Sequence, residues 1–593
     1  MSGFSSLYIG VSGLQSSQIA INTTSHNIVN ANNKGYVRQQ VALRDSIYNK
    51  IGYSGSATKQ VGLGVDIQEI RHLRDSLLDK AFRMEHGRQS FYEYQSAAVV
   101  EAQEILGELD GVPFSEYLTE LRESVYEMEK DPSSVVARSS FIQNAVSFLS
   151  RADAVYGGLQ TYQATLNQQV VNMVNNINQI GHRILELNKA ISAVEAGPES
   201  ANDMRDERDN LLDELSSLIK IDYSEDEKGI VRVRAEGILF VDSSIVNEMG
   251  VKMLDTDVDS DYYSPVWKEM DDRQVFNLQV PVSTEKGTDV GALKGILLAR
   301  GNSVARYTDI PDKADPKYQL KDAQGNFIHS YDEDLDEYRR LVEPSAIKTI
   351  MGEFDQLVNE VVEQINDVLC PNISAIEDAG LAAGTVLKAA DGTEIIVDSE
   401  TLILDTENAG YSAGDNKVQG VELFRRKNTD RYIDCTDDNG NVYRVYNTKN
   451  DFGLESLYTL GNIEMNEPVL DSCDLLGFTT ANGEVDQKRA NALADAWNTP
   501  YIKLGPDYVA YNDFAEYYSE FVGQIGNAGM LFDNMVSYQD TLTLGVDGER
   551  MALTGVSTEE ELAYLIQFQN AYNAASRYIT VIDEMLEHIV TAL

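Results

Sequence analysis

At opposite ends of a chain of 593 residues, small and apolar side chains recur at alternating steps of three and four. At the front these are Phe4, Leu7, Val11, Leu14, Gln18, Ile21, Ser25 and Ile28; at the back Leu565, Phe568, Tyr572, Ala575, Ile579, Ile582, Leu586, Ile589 and Leu593. That rhythm draws one narrow stripe along an α-helix, the seam by which helices join in a coiled coil. Two terminal seams require the chain to fold back, lay its ends side by side and place everything else between them. One stripe interrupted by Gln18 and Ser25 does not offset the entropy of ordering a helix. The ends are therefore expected to order fully only when neighbouring subunits add further seams, so that the activity is assembly.

The composition narrows the partners. An apolar content of 43% is enough for a folded core, and a formal charge of −47 argues against nucleic acid, whose phosphates need clustered Lys and Arg. The acid is unevenly spread, since no Asp or Glu occurs from Met1 to Arg44. Cys370, Cys435 and Cys473 are widely spaced and odd in number, which excludes a disulfide framework and a CxxC metal or redox site. The opening MSGFSSLYIGVSGLQ has neither the basic leader nor the apolar run of a secretory signal, and no stretch has the length of a membrane span, so no membrane insertion is expected.

The punctuation along the chain predicts a helix ending near Asn30 at ANNKG and alternating runs either side of the glycine-rich GYSGSATKQVGLG that read as a hairpin. Helices follow from about Arg71 to Leu109 and from Ser115 to Met128. The longest rhythm runs from Ile142 to Val194, with Gly157 and Gly158 as a candidate bend. A return helix carries Met204, Leu211, Leu215 and Leu218 on its packing side. Short strands occupy 221 to 300, helix resumes from Pro344 to Leu369, and 371 to 484 is a second β insert with turns at Asp391-Gly392 and Asn439-Gly440. Helices from Gln487 to Trp497 and Ala510 to Gln539 lead through LGVDGERMALTGVST to the terminal seam. The expected class is α+β multidomain: paired terminal coiled-coil helices, a long helical-bundle domain and inserted β domains. The divisions are 1–45 with 556–593; 46–220, 301–370 and 485–555; 221–300; and 371–484.

Catalytic and metal signatures are missing. HExxH, GxSxG and GxxxxGKS do not occur, and Gly62 and Gly64 are followed by Ile67 where GxGxxG requires a third glycine. His26 reads as a polar seam or surface residue. The carboxylates of DMRDERD stand among Arg205 and Arg208, which favours ion pairs at i, i+3 and i, i+4 on one helix face. CTDDNGNV and DTDVDSD only partly satisfy a calcium loop, the first lacking its leading ligand and closing Glu, the second any glycine. Tyr262 and Tyr263 read as surface aromatics. No catalytic residue, cofactor or metal site is expected.

The segment SGLQSSQIAINTTSHNIVNANNKGYVRQQV resembles the N-terminal signature of the bacterial flagellar rod, hook and hook-associated proteins, through Gly13, Leu14, Asn27, Ile28, Asn30, Gly35, Tyr36 and Arg38. The tail resembles the same family's C-terminus through Glu560, Leu565, Gln569, Ala571, Tyr572, Ala574, Ile579 and Met585. The long coiled-coil segment and ANDMRDERDNLLDELS resemble the helical domain of the junction subunits rather than rod or hook subunits. The resemblance implies a non-enzymatic subunit joining hook to filament. It would be exported by the flagellar type III export apparatus, shielded by an export chaperone, and assembled with itself as a ring oligomer between the hook protein and the second junction protein (hook-associated protein 3). It implies a secreted, extracellular location on the flagellum, with the terminal helices lining an inner tube and the acidic inserts outside. The alternatives are another axial subunit, such as a hook or rod protein, or a surface adhesin or hydrolase carried on a flagellar scaffold.

Overall fold

The computed structural model describes the whole chain except residues 1, 34, 47, 55–56, 108–111, 198–199, 255–261, 322–326, 414–416, 451 and 593. The candidate calcium stretch DTDVDSD and seam residue Leu593 thus lie outside the described residues, as do the side chains of Phe4 and Ile589. Helix α1 (Ser2–Asn30) ends where the asparagine-rich turn begins, and Gly35 beyond it takes φ +82°. Four strands follow: β1 (Gln39–Asp45), β2 (Tyr48–Ser54), β3 (Ala57–Gly62) and β4 (Val65–His72). β1 pairs antiparallel with β4 and β2 with β3, which makes one long hairpin with register shifts in both pairings.

The body is built on three helices, α2 (Ser76–Leu106), α3 (Phe114–Lys130) and α4 (Val135–Val194). α4 is 60 residues long, about 90 Å at helical rise, and its helix runs uninterrupted through Gly157 and Gly158. Gly158 allows α2 to pass close, because a Cβ there would sit 2.8 Å from Ile105. The next helix, α5 (Asn202–Leu218), runs back along α4. Its buried apolar residues are Leu212 and Leu215, while Leu211 and Leu218 are half-buried and Met204, expected on the packing side, is exposed.

Two small antiparallel sheets then lean on the far half of α4. The first is β5 (Ile221–Glu225), β6 (Val231–Ala235) and β7 (Ile238–Val241); the second is β8 (Met249–Met253), β9 (Tyr263–Trp267) and β10 (Arg273–Gln274). The α4 amides Asn178 and Asn188 each bond both ways to the backbone of β8 and β6, at Met249 and Val231. Tyr262 is buried rather than superficial, its hydroxyl donating to Gln163 at 2.8 Å. Within the stretch read as purely β lies α6 (Ala292–Arg300), whose nine residues are all buried. α7 (Tyr331–Leu341) and α8 (Ala346–Leu369) complete this part.

The second insert is a six-stranded antiparallel sheet of β11 (Asn372–Ser374), β12 (Val386–Ala389), β13 (Glu394–Ile396), β14 (Leu402–Leu404), β16 (Tyr432–Thr436) and β17 (Val442–Tyr446), in the order β11-β14-β17-β16-β12-β13. Beside it β15 (Phe424–Arg426) pairs with β18 (Ile463–Met465). The turns at Gly392 and Gly440 have φ of +91° and +85°, as the Asp-Gly and Asn-Gly pairs require. In CTDDNGNV, Asp437 caps the hairpin by accepting from the backbone of Asn439 and Asn441. The sheet has its own small core around Leu387, Ile403 and Val445. Its root is tied to α8 by Asn366, which bonds the backbone of Leu423 and Phe424, and by the Arg431–Asp367 pair at 2.7 Å.

α9 (Glu467–Asp471), α10 (Gln487–Asn498) and α11 (Phe514–Thr554) return the chain to the body. α11 does not stop near Gln539 but runs through LGVDGERMAL, antiparallel to α2, and Arg550 lies 3.9 Å over the Phe82 ring. The centre of the body is a knot of rings, Phe114 against Phe148, Phe354 and Tyr518 at 5.4, 4.9 and 5.4 Å. α12 (Thr558–Ala592) lies antiparallel on α1, Gly10 level with Ile579 and Gly13 with Ala575. The accessible surface of 30611 Å² exceeds the roughly 21,000 Å² of a compact monomer of this mass, which fits an extended molecule. Among the described residues no helix is long and apolar enough to cross a membrane, and no cluster of His, Cys, Asp and Glu could hold a metal.

Candidate assembly site at the joined termini

On α12 the sequence stripe is the face turned to α1. Leu565, Phe568, Tyr572, Ala575, Ile579, Ile582 and Leu586 are its half-buried positions, Glu561 is buried, and the other described side chains of the helix are exposed. On α1 the contact face is displaced by one position. Gly10, Ala20, Thr24 and Asn27 are buried, whereas Leu7, Leu14, Ile21 and Ile28 flank them half-buried and Val11 is 38% exposed. The reason is steric: the small residues let α12 come close. A Cβ on Gly10 would stand 2.7 Å from Ile579.

The signature residues converge at the other end of this helix pair. Asn27, 1% exposed, donates to the carbonyl of Gln39 at 2.9 Å and to Glu561 at 3.0 Å, and accepts from the Gln39 N–H at 3.1 Å and the Tyr36 hydroxyl at 2.8 Å. Every polar capacity of its amide is used, so it locks α1, β1 and α12 at one point. Arg38 bonds Glu561 at 2.8 Å, pairs with Glu560 at 3.4 Å and donates its backbone N–H to Thr554, tying β1 to the end of α11 as well. Tyr36 also meets His26 at 3.0 Å; its phenol is held un-ionised by burial and by the nearby carboxylates of Asp206, Asp203 and Glu561. Glycine is favoured at 35 by its φ of +82°, and a Cβ there would displace the Asn210 side chain of α5. Asn30 donates to the His26 carbonyl at 3.0 Å and accepts from Asn33 at 2.6 Å. Gln569 is exposed and plays no part in the clamp.

The acidic motif on α5 forms the floor of this joint. It does not form the ladder of pairs along one helix face that its spacing suggested; its charges reach other elements. Asp206 accepts from the Val37 N–H at 3.1 Å and faces His72 at 3.3 Å; Asp209 pairs with Arg74 and Arg83; Asp213 pairs with Arg83 and Arg550. Arg205 bonds Glu195 and Glu225, and Arg208, 1% exposed, donates to Asn188 and the Gly229 carbonyl. Burial pushes the Asp206 carboxyl up to about 7 and, with Arg74 beside it, the His72 imidazole down to about 4. The imidazole is then uncharged at neutrality, and the carboxyl facing it keeps its proton only below about pH 7.

Glu561 and Asp206 are the partners that sequence reading passed over. Glu561 had a signal, since it stands four residues before Leu565 and so places a charge on the seam itself. Nothing local to Asp206 marks it as the acceptor for Val37, 169 residues away.

Residues 99–369 match the model of the flagellar hook-associated protein FlgK helical domain, and residues 550–592 that of the flagellar basal body rod FlgEFG protein C-terminal region. Flagellar hook-associated protein 1 of Bacillus subtilis is 24% identical over 587 residues, covering 98% of this chain and 96% of that protein. The proteins of the same name from Salmonella typhimurium and Escherichia coli are 21% and 22% identical, with 98% of each chain covered. The solved structure of the flagellar hook junction protein FlgK from Burkholderia pseudomallei aligns with 81% of this chain and 100% of its own, at 12% identity and a TM-score of 0.47. By its sequence relatives along nearly its whole length, and by one family model on its helical body and another on its tail, the chain is similar to the flagellar hook-associated proteins from end to end.

Proposed function

We propose that the chain is a structural, non-enzymatic subunit of the bacterial flagellum that joins the hook to the filament by assembling with copies of itself into a ring. The observation that carries the reading is the α1–α12 pair. It is clamped at one end by Asn27, Arg38 and Glu561 and is otherwise almost uncovered: of the described side chains of α12 only Glu561 is buried. A helix so poorly covered depends on further packing for its order. Neighbouring subunits supply that packing, and the seam residues of both helices serve as the assembly surface.

In this reading residues 1–45 with 556–593 form the terminal coiled-coil domain of an inner tube. Segments 46–220, 301–370 and 485–555 form the helical domain around it, and the inserts 221–300 and 371–484 lie outward. The hook protein and the second junction protein flank the ring axially. Marginal terminal helices suit a chain that leaves the cell unfolded through the flagellar type III export apparatus and is shielded by an export chaperone until it docks. Deleting the gene tests the function. Cells that keep hooks, lose filaments and shed unpolymerised flagellin fit the proposal, and cells with normal filaments refute it.

A further inference from the structure

We infer that the cleft between α2 and β5 is a binding site for a small multivalent oxyanion of the phosphate class, held by Lys80, Lys220 and Arg83. None of its lining residues belongs to α1 or α12, and it is independent of the junction reading. Two segments build it. Lys80, Arg83 and Met84 stand at i, i+3 and i+4 and so share one face of α2. Lys220 leads into β5, the edge strand of the first small sheet, which adds Ile221, Asp222 and Tyr223. With Val290, just before α6, these residues enclose a cleft of about 240 Å³.

The cations of the cleft have donors to spare. Behind it, the carboxylates of Asp79, Asp209 and Asp213 are matched by Arg74, Arg83 and Arg550. The lysines are therefore surplus. Lys80 is exposed and has neither a hydrogen bond nor a carboxylate partner among the described residues, its ammonium standing 5.7 Å from the Tyr223 ring centre. Lys220 spends one donor on the Gly287 carbonyl at 3.0 Å and makes no ion pair. Arg83, 3% exposed, gives Nε to Asp213 at 2.6 Å and Nη2 to Asp209 at 3.3 Å, and lies 4.5 Å over the Tyr223 ring. Its Nη1 is left without a partner. A buried guanidinium nitrogen without an acceptor is costly, and an anion in the cleft that Arg83 lines supplies one.

The acidity of the chain does not forbid this. Charges farther off than about 8 Å are largely screened at physiological salt, so the lining matters more than the net −47. The one carboxylate in that lining is Asp222, and Arg234 stands directly across from it in the β5–β6 register. Glu236, which senses Lys220, is pushed up by its burial and so opposes the lysine less than an exposed carboxylate would. Because the free donors come from both α2 and β5, an anion with oxygens on two sides suits the cleft better than a single carboxylate, and it would bridge the helical body to the first β insert.

Calorimetry of the purified full chain with sodium diphosphate tests the site. At constant ionic strength the anion should bind saturably, slow hydrogen exchange over residues 80–84 and 220–223, and raise the melting temperature above that in sodium chloride. Lys80 makes no bond that the fold needs, so K80E should melt like the wild type without diphosphate yet bind it at least about tenfold more weakly. D222N, which removes the opposing charge, should bind it about threefold more tightly. Heats that do not saturate, an affinity unchanged in K80E, a D222N protein that binds no better, or protection elsewhere on the chain would each overturn the site.

Discussion

Asn27→Asp exchanges one buried atom for another and should be among the most damaging substitutions in the chain. The amide nitrogen of Asn27 bridges the Gln39 carbonyl at 2.9 Å and a Glu561 oxygen at 3.0 Å, in a site where Asn27 is 1% and Glu561 3% exposed. An aspartate would set an oxygen against both. Two unit charges about 4 Å apart repel by roughly 4 kcal/mol at an effective dielectric constant near 20, and the lost bond to a charged acceptor adds about 1.5–3 kcal/mol. Arg38, 2.8 Å from Glu561, offsets part of this, which leaves about 3 kcal/mol or more against the clamped state. If the terminal helices complete their folding as they dock, that cost passes into assembly. The concentration of purified protein needed to restore filament growth on hooks from the deletion strain should rise about a hundredfold. Asn27→Ala, which removes bonds without adding charge, should cost less. Glu561→Gln in the Asn27→Asp background gives the aspartate a donor and should recover at least half of the loss, with melting of the helical body unchanged throughout. An Asn27→Asp protein that assembles like the wild type, or a double variant no better than the single, would refute the clamp.

Close approach of the terminal helices predicts that Gly10→Ala, whose Cβ would meet Ile579 at 2.7 Å, raises the same half-maximal concentration about tenfold or more. Gly13→Ala, with ordinary contact at 3.7 Å, should stay within about threefold of wild type. Asp206 is raised to about 7 by burial, so it binds more protons folded than unfolded. Its share of stability is full below about pH 4 and is lost as the pH rises through 7. His72, lowered to about 4, acts oppositely, losing its share as pH falls below about 6.5. Asp206→Asn keeps an acceptor for the Val37 N–H and should melt progressively higher relative to wild type between pH 5 and 8; a gap independent of pH would contradict the assignment. Phe354→Ala empties a site with 0% exposure between Phe114 and Phe521 and should cost about 3–5 kcal/mol, lowering the body's melting temperature by about 10 °C in calorimetry.

What could be read from sequence divides along physical lines. Long amphipathic rhythms survive folding, so α4, α5, α8 and the seam of α12 stand where periodicity predicts, and the Asp-Gly and Asn-Gly turns fall where only left-handed geometry closes a hairpin. α6 was illegible because all nine of its residues are buried, and a helix covered on every side shows no contrast between faces. LGVDGERMALTGVST reads as a link between helices, yet α11 runs through its Gly545 and Gly548, held further along by Arg550 against Phe82, Asp213 and Asp547. The face of α1 was displaced because hydropathy follows large side chains, whereas close contact is made by Gly10, Ala20 and Thr24. The signature asparagine and arginine were visible, but their common partner Glu561 lies 534 residues from Asn27, and only the folded chain brings the two together.

The central claim is that a single copy is incomplete and that its terminal helices acquire stable order from their neighbours. Hydrogen exchange of the purified monomer tests this directly. Amides of α1 and α12 should exchange fast, close to unprotected rates, while α4 and α5 over residues 142–218 remain protected. Protection in α1 and α12 equal to that of α4 in the isolated monomer would contradict the account.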